Sequence, residues 1–181
     1  MALILNAAMF IVGAIAGVAA QSTGVLADAL DMLTDAAGYT LALRPVSRGP
    51  AFKRRAARWT GGVLLMLGAG IVADVMHRWL AGSEPVGTVM MAYSVVALVV
   101  NVTVLTRLTR YRHGEVHLKA SYICTRADVL ANLGVFASGA IVAPIGMRVV
   151  DLVAGFAIGV YVLKEAREIL RDAAEAGGEH G

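Results

Sequence analysis

Charge is scarce in this chain. Asp, Glu, Lys and Arg make up 16% of its 181 residues, against about 25% in an ordinary soluble domain. Cysteine is scarcer still: Cys124 stands alone, so an internal disulfide is excluded and thiol usage carries no message about redox compartment. There is no glycine-rich phosphate loop, no nucleophile spaced with a base, and no haem or iron–sulfur motif. An enzyme is not expected, nor a resident cofactor. The start of the chain has neither a basic region nor a small-residue cleavage site, so residues 1–20 read as a retained first span rather than a leader.

What is present is apolar. Hydrophobic residues reach 58% and mean hydropathy is +0.70, values that point to lipid as the solvent. Six runs of spanning length, about 20 residues each, can be drawn at 2–20, 23–43, 59–80, 86–108, 118–142 and 149–170. The expected fold is all-α, a polytopic membrane protein with a six-transmembrane-helix bundle over 1–171 and a short cytoplasmic tail over 172–181. Two tight linkers, Gln21 to Gly24 and Ala143 to Gly146, predict helical hairpins pairing the first span with the second and the fifth with the sixth. Small residues four apart, Gly13/Gly17 and Gly155/Gly159, read as sites of close helix packing.

The basic residues are unevenly placed. Of the 16 Lys and Arg, six lie at 44–58, four at 107–119 and three at the end of the sixth span. By the positive-inside rule those loops and both termini face the cytoplasm, as an even number of spans in a cell (inner) membrane requires. The net charge of +3 and pI near 9.3 are then topology signals toward anionic lipid in the bilayer, not a nucleic-acid surface.

Acids inside the second span contradict its apolar setting. Asp28, Asp31 and Asp35 fall within Gly24 to Gly38, and insertion of each near a bilayer centre costs about 3 kcal/mol unless it is neutralised or faces a wet interior. Asp31 and Asp35, four apart, share one helical face, while Asp28 lies on an adjoining stripe. The fifth span repeats the spacing with Cys124, Asp128 and Asn132. Apposed, the two faces offer Asp31, Asp35, Cys124 and Asp128 as metal ligands. Three carboxylates and a thiolate at about 2.0–2.3 Å suit a tetrahedral, borderline-soft ion such as zinc, with cadmium or cobalt also fitting and magnesium fitting poorly. Without metal the clustered acids repel one another in low dielectric, so protons are the natural replacement for the ion.

At these residues the chain resembles the cation diffusion facilitator family of divalent metal transporters. Leu26-Ala-Asp28-Ala-Leu-Asp31-Met-Leu-Thr-Asp35 is similar to the family's second-span motif, and Cys124 to Asn132 to its fifth-span motif ending Asp-Val-x-x-Asn. The resemblance implies Asp31 and Asp35 as second-span ligands and Asp128 as the fifth-span aspartate. Cys124 stands where the family usually has His or Asp. As a thiolate it would favour softer metals; as a buried thiol it would be a packing residue and leave three ligands. The family also carries a cytoplasmic domain after the sixth span, where only Asp172 to Gly181 follow here; the resemblance therefore covers the transmembrane part, and a homodimer would form through membrane helices.

The expected function is efflux of a divalent metal cation by exchange with protons through alternating access. A membrane metal-binding or accessory protein without transport, or a transporter of another small cation, remain the competing readings. Other polar residues have blander expectations. Arg126 points away from Asp128; a pair with Asp28 or a lipid headgroup is as credible as a gating role, and it is given no catalytic part. Asp74 and His77 could meet an ion leaving the third span, His113 and His117 could feed the site from a basic loop, and Asn6, Tyr39 and Asn101 read as interhelical hydrogen-bonding groups.

Overall fold

The computed structural model describes residues 2–43, 50–109 and 116–178, without the side chains of 38, 39, 41–43, 50, 51, 53, 54, 108, 116–124 and 176–178. Six helices fill them: α1 (Ala2–Ala19), α2 (Thr23–Leu43), α3 (Pro50–Ala81), α4 (Gly87–Leu108), α5 (Val116–Ile145) and α6 (Arg148–Gly178). Proline at the first position of α3 fits a place where no amide donor is required. Gln21, two residues past α1, takes φ +49°, and Gly82 and Gly146, just past α3 and α5, take φ +93° and +68°. These left-handed residues turn the chain sharply, and the Gly82 and Gly146 amides donate back to the Arg78 and Val142 carbonyls at 2.9 and 2.8 Å. The α1–α2, α3–α4 and α5–α6 turns share one end of the bundle, here the short-turn end. It is tied together by Val86 N to Ala20 O at 2.9 Å and by Arg78 Nη1 to Gln21 O at 2.6 Å.

Four helices contain a stretch long and apolar enough to cross a membrane: Ala2–Ala19, Arg55–Ala81, Gly87–Arg107 and Thr125–Ile145. The other two, α2 and α6, carry more acid: Asp28, Asp31 and Asp35 on one, and Asp151 and Glu165 among those on the other. α2 tolerates them because it touches all five other helices. Its residues Val25, Ala27, Asp28, Ala29, Leu30, Asp31, Met32, Thr34 and Ala36 are buried in succession, on every side of the helix. Ile4, Ile15, Val18, Met66, Leu80 and Val99 instead leave their side chains on the outer surface, the apolar exterior that lipid accepts.

Hairpin pairing holds for α1 with α2. α5 and α6 also touch, but α5 packs chiefly on α4 and α6 chiefly on α3. Small residues decide this. A Cβ on Gly87 of α4 would land on the Gly139 carbonyl and Ala143 amide of α5, and Gly61 and Gly68 of α3 lie against Leu170 and Leu163 of α6. The two glycine pairs read from sequence also pack closely: Gly13 against Tyr93 and Ala29, Gly17 against Leu26, Gly155 against Thr23 and Gly159 against Ile71. α3 and α6 run past their apolar stretches, α6 unbroken through residue 171 to Gly178. Gly87→Leu is expected to lower stability by about 3 kcal/mol or more, because the α4 and α5 backbones themselves would have to separate. Gly134, with open space where a Cβ would sit, supplies the control: in detergent, Gly134→Leu should melt close to the parent and Gly87→Leu roughly 10 °C below it.

Candidate functional site

Two antiparallel helices, α2 and α5, meet through their polar faces near the middle of the bundle. Asp31 and Asp128 are each 5% exposed, and Asp35 is half-buried. Asp128 lies beside both Asp31 and Asp35, so the acids of the two helix faces are neighbours across the helix pair. One Asp128 oxygen, Oδ2, is buried without a hydrogen-bond partner, an exception among buried polar atoms and a free lone pair for a cation or a proton donor. Among the described residues no three His, Cys, Asp or Glu side chains are drawn into a ready cage around a single point. The fourth expected ligand, Cys124, lies on α5, one turn before Asp128, and its side chain is outside the described residues.

Asp31 opens onto a cavity of about 190 Å³ between α2, α5 and α6, walled by Ala127, Ala131, Ala157, Ile158 and Tyr161. Its alanine walls leave space for several waters, each occupying about 30 Å³ in the liquid. From α6 the Tyr161 hydroxyl donates to Glu165 Oε1 at 2.8 Å, and the Glu165 carboxylate adds its field to Asp31 and Asp35. Sequence reasoning passed over Glu165 because it sits among Lys164, Arg167 and Glu168, where a solvated helix end is the ordinary reading. Its four-residue spacing from Tyr161 was the available signal.

Asp28 does not pair with Arg126. Its oxygens accept from Tyr93 Oη of α4 at 2.9 Å and from Asn132 Nδ2 of α5 at 2.6 Å, and Asn132 Oδ1 accepts from Asn101 Nδ2 at 3.0 Å. Arg126 lies on the exposed side of α5. Asn101 is thus the interhelical hydrogen-bonding group expected of it, whereas both polar side-chain atoms of Asn6 are buried without a partner. Asp74 accepts from Arg78, Nε to Oδ2 at 2.6 Å. His113, and the side chains of His117 and Tyr39, lie outside the described residues.

A further buried carboxylate, on α6, was not foreseen. Asp151, in the first turn of α6, is fully buried and accepts from Ser22 Oγ at 2.5 Å, from the Thr23 and Gly24 amides at 2.8 and 3.1 Å, and from Thr23 Oγ1 at 3.2 Å. Ser22 Oγ in turn accepts from the Val25 amide at 3.1 Å. The first amides of α2, orphans of any helix start, are thereby satisfied by one cap from its own strand of sequence and one from α6.

Residues 56–176 match the family model of the cation efflux transmembrane domain. The chain is 25% identical over 182 residues to the metal cation efflux system protein CzcD of Cupriavidus metallidurans, with 94% of this chain and 58% of that one covered. It is 25% identical over 172 residues to the zinc transporter ZitB of Yersinia pestis, covering 88% and 55%. To the proton-coupled zinc antiporter SLC30A2 of Mus musculus it is 27% identical over 194 residues, covering 91% and 52%. It spans a little over half the length of the curated relatives it matches. With its apolar helices and this match, the chain is an integral membrane protein that belongs to the cation efflux family, the cation diffusion facilitators.

Proposed function

We propose that this protein moves a divalent metal cation, zinc foremost and cadmium or cobalt as alternatives, out of the cytoplasm in exchange for protons. The observation that carries the reading is the meeting of Asp31, Asp35 and Asp128 across α2 and α5, with a buried Asp128 oxygen left unpartnered. In this reading Asp31, Asp35, Asp128 and Cys124 hold the ion as cargo. Carboxylates that bind metal must be deprotonated, so protons and metal compete for the same oxygens, and a proton gradient can drive the ion. Relatives named for zinc transport, metal efflux and proton coupling support the assignment. The site opens alternately to the two faces of the cell inner membrane, with both termini and the basic loops in the cytoplasm. A dimer through membrane helices is compatible with this arrangement.

Purified protein in liposomes should take up zinc under an imposed pH gradient and stop when the gradient is collapsed. Stoichiometric binding with no flux would instead favour a metal-holding membrane protein. Cys124 sets a second expectation, since thiolate prefers softer ions. Cys124→Ser should cut cadmium flux relative to zinc by about tenfold, whereas Cys124→His should retain zinc flux. A cadmium-to-zinc ratio unchanged in Cys124→Ser would make Cys124 a packing residue.

A further inference from the structure

We propose that the hydrogen bond between Asp28 and Asn132 is a latch that sets the register of α2 against α5 and so positions Asp31, Asp35 and Asp128 around one divalent cation. The inference rests on the transport reading above and assigns that site two positioning residues which do not touch the ion.

Both Asp28 oxygens are occupied. Oδ2 accepts from Tyr93 of α4 and Oδ1 from Asn132 of α5, in a residue 1% exposed. A metal at Asp28 would have to displace one of them. Asn132 is fully buried and is itself held from α4 by Asn101. The four side chains therefore join α2, α4 and α5 without a gap, and a carboxylate at their head strengthens each bond it accepts.

Register follows from helix geometry. Asp28 precedes Asp31 by three residues and Asn132 follows Asp128 by four, which is about one turn, or roughly 5 Å, along each axis. Because α2 and α5 run antiparallel, the latch and the Asp31–Asp128 meeting are successive contacts along one seam. α2 and α5 otherwise touch over a short stretch, far less than α4 with α5 or α1 with α2. A slip of one helix past the other by one residue would separate the acids as surely as removing one. Metal ligands held by such surrounding hydrogen bonds typically lose 10- to 100-fold in affinity when the support is broken.

The pair also provides its own test, because it can be exchanged without losing a bond. In Asp28→Asn with Asn132→Asp, the new amide donates to the new carboxylate, Tyr93 still has an oxygen to donate to, and Asn101 still donates to position 132. Asn132→Asp alone sets two carboxylates face to face. Zinc uptake by liposomes holding each variant, with thermal midpoints in detergent, reads the outcome. Asn132→Asp should raise the zinc KM about tenfold or more, with a smaller change in maximal flux, and the exchanged pair should return to within about threefold of the parent. If Asn132→Asp does not fold, Asn132→Ser, which shortens the donor out of reach, stands in for it with the same expected KM rise. A folded exchanged pair with KM no better than the single variant overturns the latch, as does a single variant with the parent's KM. A parent that takes up no zinc, cadmium or cobalt overturns the transport reading and the latch's role with it; parent uptake with an unrecovered pair overturns the latch alone.

Discussion

Asp128→Ala is expected to reduce zinc flux into liposomes by about 100-fold or more, a larger effect than loss of a supporting hydrogen bond. Among the described residues, Asp128 is the α5 acid that lies beside both Asp31 and Asp35. Its removal leaves the two α2 carboxylates without a ligand from the opposite helix, and an ion held by one helix gains nothing from the α2–α5 seam. The protein itself should survive the change. Three acids near one point oppose folding in lipid, each by about 3 kcal/mol when unpaired, so deleting one relieves repulsion and the thermal midpoint should hold or rise. Flux lost while stability is kept is the signature of a site that trades stability for function. Asp74→Ala, which removes a partner of Arg78 well away from the seam, should transport close to the parent. Flux preserved in Asp128→Ala would remove Asp128 from the ion site and with it the α2–α5 seam as the ion's path.

Asp151→Leu is expected to lower the thermal midpoint by roughly 10 to 15 °C, from a loss of about 4 kcal/mol in a chain of this size. Leucine matches the apolar span around it, so by hydropathy alone the variant should insert better. The opposing consideration is hydrogen bonding. Without the carboxylate, the Thr23 and Gly24 amides and the Ser22 hydroxyl lose the acceptor that binds them at 2.8, 3.1 and 2.5 Å. Each buried orphan costs about 1–3 kcal/mol, and a negative charge at the start of α2 is lost as well. The hydrogen-bond loss outweighs the gain in hydropathy because lipid offers no water to replace the carboxylate. Asp151→Asn keeps one accepting oxygen and should fall between the two. A midpoint for Asp151→Leu within about 1 °C of the parent would mean that the α2 start finds another acceptor.

Different parts of the molecule were legible in sequence to different degrees, and the reason lies in the range of the interactions. The helices were legible because hydropathy is local, although it marks lipid thickness rather than helix length. Hence the third and sixth spans, drawn at 59–80 and 149–170, belong to longer helices, Pro50–Ala81 and Arg148–Gly178. Asp31, Asp35, Cys124 and Asp128 were legible as two faces, since residues four apart on one helix must share a side. The partners of Asp28 were not, because Tyr93 and Asn132 lie 65 and 104 residues away, and no periodicity reports which helices become neighbours. Arg126, one of the partners open to Asp28 in the sequence, accordingly lies on the exposed side of α5 instead.

The sequence by itself determined that six helices form in lipid and that acids lie on α2 and α5 at spacings able to face a common ion. Only the tertiary structure decided that α2 occupies the centre, touching all five other helices, so that Asp28, Asp31 and Asp35 are turned to protein instead of hydrocarbon. It also decided which carboxylates are structural, Asp28 in a hydrogen-bonded chain and Asp151 on a helix start, and which remain short of partners. A carboxylate's chemistry is the same at every position; the donors that reach it are brought by packing between distant segments, and packing is a property of the assembled bundle.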